Sequence, residues 1–145
     1  MRSVARWALL GLALFAVAAP VAADPGIPVR IRLLKGSRQG PAAMAPGLED
    51  LQAQLSHTAY VRWEQVGESR ATMEPRRPVP LSLPGGVQVM VTLVEVRGDA
   101  ATFEIQVPSS RTQSRLTVTR DKRIVQQVTA EKGGEAYFVT VRPWG

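Results

Sequence analysis

Fifteen arginines stand against three lysines in this 145-residue chain, and they are its most conspicuous chemical resource. A guanidinium is a planar fork that pairs well with carboxylates and phosphates. Three groups stand out by spacing. Arg111, Arg115, Arg120, Lys122 and Arg123 fall on one strand–turn–strand stretch, Arg30, Arg32, Lys35 and Arg38 form a second group, and Arg76-Arg77 sit between prolines. The first group offers polyanion binding, with Arg115, Arg120, Lys122 and Arg123 as the expected contacts. The plain alternative is a solvated face that also blunts sheet edges against aggregation. Nucleic-acid stacking needs aromatics interleaved with the charges. Residues 111–123 contain none, so no specific nucleic-acid partner is expected.

The C-terminal stretch offers a different chemistry. From Glu135 onward, Tyr137, Val139 and Val141 share one face of an extended strand. Phe138, Thr140, Arg142 and, if the strand stays extended, Trp144 share the other. Aromatics and arginine are the types enriched at binding hot spots. The expectation is that Phe138, Arg142 and Trp144 form part of a surface for a protein partner. The alternative is a sheet covered on both faces, or Trp144 folded back over its end.

Catalytic and metal chemistry has little to work with. His57 is the sole histidine and there is no cysteine. Zinc sites want several His or Cys ligands and calcium loops want closely spaced oxygens, so no metal is expected. Ser56 merely precedes His57 in sequence, which is no sign of a catalytic pair, and no G-x-S-x-G elbow occurs. Glu64, Glu95 and Glu104 are placed on expected strands, where a carboxylate pair would suit glycoside hydrolysis. Solvent-facing carboxylates on alternating strands are the ordinary case. Gly85-Gly86 and Gly133-Gly134 are turn glycines, not a phosphate-binding fingerprint. No cofactor is expected.

The elements that must position these groups are mostly strands. Residues 83–107, LPGGVQVMVTLVEVRGDAATFEIQV, read as a long hairpin. Pro84-Gly85-Gly86 is a turn signal, Val87 to Val96 is β-branched-rich, and Arg97 to Ala100 turns into Phe103, Ile105 and Val107 alternating with polar residues. Val29 to Leu34, Ala59 to Val66, a weaker Ser69 to Glu74 after a turn at Gly67-Glu68, Gln113 to Thr119, Arg123 to Val128 and Glu135 to Arg142 supply further strands. Lys35 to Pro46 reads as a loop. Gly47 to Ser56 reads as the one helix, with Leu48, Leu51 and Leu55 as its apolar stripe. The expected fold is mainly β: a single antiparallel β-sandwich or open barrel with one short packed helix.

Residues 1–23 read as a signal peptide: Arg2 and Arg6 as the basic end, Trp7 to Val17 as the apolar run, and Val21-Ala22-Ala23 before a cut between Ala23 and Asp24. The run is short for a membrane-spanning helix, which needs roughly 20 apolar residues, so no span is expected after cleavage. Residues 24–145 then form one exported β-rich domain. Loss of Arg2 and Arg6 takes two from the formal charge of +6. The remaining positive balance favours anionic partners without naming one. The arginine excess and the absence of asparagine read as the coding habit of a GC-rich bacterium, and an exported, cysteine-free bacterial domain is expected in the periplasm or outside the cell.

The LPGG turn, the run VTLVEVRGDAATFEIQV and the Gly133-Gly134 turn resemble small exported β-rich proteins of unknown function from myxobacteria-like bacteria. That resemblance spans most of residues 24–145, implies an exported β-domain and carries no catalytic residues. The combined expectation is a non-catalytic envelope or secreted binding module for a protein partner. A polyanion or polysaccharide binder using the arginine-rich hairpins is the alternative, and an enzyme stands third.

Overall fold

The computed structural model describes residues 26–145; the expected leader and its cleavage point lie outside them. Nine strands run in chain order among the described residues. They are β1 (Ile27–Ser37), β2 (Ala43–Met44), β3 (Arg62–Met73), β4 (Val79–Ser82), β5 (Gln88–Arg97), β6 (Ala100–Val107), β7 (Thr112–Thr119), β8 (Ile124–Gln127) and β9 (Glu135–Pro143). They form a five-stranded sheet in the order β2-β3-β1-β9-β8 and a four-stranded sheet in the order β4-β5-β6-β7. All pairings are antiparallel except the short β2–β3 bridge. The fold is therefore the β-rich, two-sheet architecture the alternation calls for.

The main core lies between the sheets. Alternate residues of β1 (Val29, Ile31, Leu33) and β9 (Val139, Val141) meet Val89, Val91 and Leu93 of β5 and Phe103, Ile105 and Val107 of β6. Burying such side chains stabilises each by about 1.5–3 kcal/mol. Tyr137 only borders this core, half-buried.

A second apolar layer covers the outer face of the five-stranded sheet. The segment that supplies it is shorter than the leucine spacing suggests: a 3-10 turn at Glu49–Leu51 runs into a single-turn helix α1 (Gln52–Leu55). Its Leu48, Leu51 and Leu55 are fully buried against Leu34, Tyr60, Trp63 and Phe138. A helix this short has no independent stability, so the leucine stripe and the sheet hold each other. The Tyr60, Trp63 and Phe138 rings pack edge-on, with centroids 4.8 to 6.0 Å apart, as ring quadrupoles prefer.

Two local expectations change. Gly67 does not turn the chain; β3 runs through it, and the β1–β3 register slips there, with Leu33 opposite Gly67 and Leu34 opposite Gln65. An added Cβ at Gly67 would sit 3.1 Å from Leu33, so glycine marks a bulge where two strands press together. The expected loop after Leu34 begins later, because β1 continues to Ser37 and the segment then donates β2 to the sheet edge.

Candidate anion-binding cleft

Strands β3, β5, β7 and β9 all finish at one end of the molecule, beside the start of β1. A cleft of about 730 Å³ opens there. Arg76 follows β3, Arg97 closes β5, Arg120 follows β7 and Trp144 follows β9, and all four line the cleft. Glu95 is its one acidic lining residue, and Ile27, Val94 and Val96 supply apolar surface.

Backbone geometry aims these groups. The β5–β6 register slips between Leu93 and Glu95, a bulge of the kind that re-aims side chains near functional sites. The Arg76 N–H donates to the Leu93 carbonyl at 2.8 Å, which holds Arg76 at φ 66. Trp144 takes φ 56 while its N–H donates to the Pro28 carbonyl at 2.6 Å. Left-handed backbone costs a side-chain-bearing residue roughly 1–2 kcal/mol. Such outliers are maintained where the surroundings demand them, and they cluster at functional sites.

The electrostatics favour an anion. Arg97 leans on Glu95 at 3.4 Å, and both are well exposed. Neither Arg76 nor Arg120 pairs with a carboxylate among the described residues. The Arg120 guanidinium instead lies 4.5 Å from the centroid of the Trp144 ring, close enough for cation–π attraction. The indole thus pre-orients a guanidinium whose N–H donors remain available. Guanidinium forks receive carboxylate, sulfate or phosphate oxygens in charge-assisted hydrogen bonds, and an indole presents a flat apolar face beside them.

The residues expected to act together are dispersed. Phe138 is not on a water-facing surface: it is buried beneath Leu48, Leu51 and Leu55, because the helical segment covers the face that the alternation leaves open. It can take no direct part in a surface site. Trp144 does not extend that face either, since its positive φ swings it off the strand and into the cleft. Arg142 remains on the sheet, half-buried and opposite Arg30. Phe138, Arg142 and Trp144 therefore make no common surface.

The basic hairpin divides in the same way. Arg115 pairs with Glu104 at 3.0 Å across the outer face of the four-stranded sheet. Lys122 stands exposed in the connection, and Arg120 alone enters the cleft. Arg123 crosses to the helical segment, where its Nε donates to Asp50 at 2.6 Å. Asp50 also receives two bonds from the buried Arg32, at 3.0 and 2.7 Å. Hydrogen bonding from Arg32, more than the added charge of Arg123, holds the Asp50 carboxyl down at about 2. Arg32 and Arg123 thus fasten the helical segment to the sheet.

Other candidates have structural partners. Glu64 lies 3.6 Å from Lys35, Glu104 holds Arg115, and His57 is exposed just after α1. Among the described residues, no group of three or more acidic or histidine side chains is placed to hold a metal, and no helix is long and apolar enough to cross a membrane. No family model, curated protein or solved structure matches the chain.

Grouping charges by nearness in sequence puts Arg76 with Arg77 and leaves Arg97 out, so it joins neither to Arg120. A signal for them is nonetheless present. Arg76, Arg97, Arg120 and Trp144 stand at or just after the ends of β3, β5, β7 and β9. These ends fall together because β1 pairs antiparallel with both β3 and β9, and β6 with both β5 and β7.

Proposed function

We propose that this protein is a non-catalytic exported binding module whose cleft holds a segment of an acidic polysaccharide. The observation that carries this reading is the convergence of three guanidinium groups and one indole in a single cleft. Two of those guanidiniums are without carboxylate partners among the described residues. A uronate or sulfated sugar offers the matching pair of features, an anionic group for the arginine forks and a flat, C–H-rich ring face for the indole. The ionisable lining, three arginines and one glutamate, suits binding and orientation. Export is the expectation from the leader pattern of residues 1–23, and an exported domain would meet such polymers.

The test is retention on immobilised polygalacturonate across a salt gradient. The paired substitution Arg76→Gln/Arg120→Gln should elute far earlier than the parent. The control Arg115→Gln/Lys122→Gln removes the same charge away from the cleft and should elute close to the parent. Equal shifts in the two variants would reduce the effect to net charge and overturn the cleft reading.

A further inference from the structure

The two sheets expose edges that are protected very unequally. β2 has two residues, β8 has four, and β4 has four with Pro80 among them. Beyond its bridge to β2, the free edge of β3 carries Glu64, Glu68 and Arg70. Short length, proline and charge are the usual guards against strand addition. β7 has neither of the first two: it is eight residues long, TQSRLTVT, with no proline. Its single charge, Arg115, is tied to Glu104 of its own sheet.

The register shows which backbone groups face outward. The Arg120 N–H donates to the Asp99 carbonyl at 2.6 Å, and Thr119 pairs with Ala100 in the continuing ladder. Hydrogen-bonding direction alternates along an antiparallel strand. Gln113, Arg115, Thr117 and Thr119 therefore turn their N–H and C=O groups away from β6, and of these the Thr119 carbonyl is already taken, accepting from the Lys122 N–H at 3.0 Å.

Beside the first residues of this edge, Thr112 to Ser114, lies a groove of about 660 Å³ between β7 and β8. Ile105, Val107 and Val128 close its floor and are themselves buried, while Ser114, Gln126 and Thr129 supply hydroxyl and amide groups. A hydrogen bond from Gln126 to Ser114, at 2.8 Å, crosses it. β8 is tied to β7 by the short connection 120–123, so it crowds the approach of another folded sheet. A lone extended segment needs only a strand's width, about 4.8 Å.

We propose that the β7 edge and its groove receive an extended, uncharged segment of a partner polypeptide. That segment adds as a strand and sets alternate apolar side chains over Ile105, Val107 and Val128. Main-chain pairing supplies the attraction and the groove supplies the alternation preference. This site is separate from the polysaccharide cleft and stands or falls independently of it.

The probe is a capped, uncharged heptapeptide alternating threonine and valine, titrated into the whole protein. Amide hydrogen exchange is read residue by residue. Saturable slowing at Gln113, Arg115, Thr117 and Thr119, without slowing along β4, is expected. Only one face of the added strand's backbone pairs with β7. N-methylation of either the threonines or the valines, but not both sets, should therefore weaken binding by about tenfold or more. Thr117→Pro, which removes an outward N–H, should weaken it likewise. The methylated peptides decide the matter if that variant does not fold. Absence of slowing at the four amides, equal effects of the two methylation patterns, or peptide-independent slowing that rises with protein concentration (a second copy on the edge) would each overturn the proposal.

Discussion

Replacing Asp50 with asparagine should destabilise this protein far more than the removal of one surface charge. The Arg32 side chain is 1% exposed. Two of its bonds go to Asp50 and a third, at 3.2 Å, goes to the Gly47 carbonyl. In Asp50→Asn one carboxylate oxygen becomes an NH₂ donor facing a guanidinium, and a buried cation loses its counter-charge. Removing one partner of a buried pair costs about 3–5 kcal/mol. Arg123, at 21% side-chain exposure, can turn to water, so a loss near 3 kcal/mol is expected. Arg32→Met should behave differently. It removes the buried charge itself, together with an Nε that, like Thr140 Oγ1 on its register partner, has no hydrogen-bond partner among the described residues. Apolar replacement of a buried ion is often near neutral. Urea unfolding followed by tryptophan fluorescence measures both variants. With a slope of about 1–3 kcal/mol/M, the Asp50→Asn midpoint should fall by roughly 1–3 M while Arg32→Met moves much less. An Asp50→Asn variant within about 1 kcal/mol of the parent, or one more stable than Arg32→Met, would refute this reasoning.

Further outcomes follow from the same structure. Phe138→Ser should cost at least about 3 kcal/mol, because it opens a cavity under the leucines and buries a hydroxyl there; thermal unfolding checks it, and an unchanged melting temperature would return Phe138 to the surface. Glu68 is held at about 2, chiefly by hydrogen bonds from Arg70 and then Arg30, and Asp50 lies at about 2 as well. Both values are depressed, so their stabilisation is fully present above the unfolded carboxylate range and disappears as pH falls through the folded value near 2. Acid titration by circular dichroism should accordingly show an Asp50→Asn variant losing less stability between pH 5 and pH 2, a window set by those depressed values, than the parent. If the leader is removed as its pattern implies, the intact mass of exported protein begins at Asp24; retention of Trp7 would contradict that.

The β-architecture was legible because its residues alternate. Phe103, Ile105 and Val107 point one way and Thr102, Glu104 and Gln106 the other, and only a half-buried strand needs that pattern. The layer over Phe138 was not legible. Alternation along β9 shows that two faces differ, but it does not show that Leu48, Leu51 and Leu55 return from far along the chain to cover one of them. Trp144 was hidden for a local reason, since nothing in Pro143-Trp144-Gly145 announces a left-handed residue where an extended one is the default. The arginines were visible as a resource and misread as a patch. Arg115, Arg120, Lys122 and Arg123 are close in sequence, yet a strand and a connection send them to four different surroundings, while Arg76, Arg97 and Arg120 meet because alternate strand ends coincide.

The most direct measurement is a nuclear magnetic resonance titration of arginine Nε–H and tryptophan indole N–H signals with oligogalacturonate at near-physiological salt. The proposed cleft predicts saturable shifts at Arg76, Arg120 and Trp144 that share one dissociation constant, with Arg115 and Trp63 unmoved. Shifts spread evenly over the exposed arginines without saturation, or a Trp144 signal indifferent to the ligand, would contradict it.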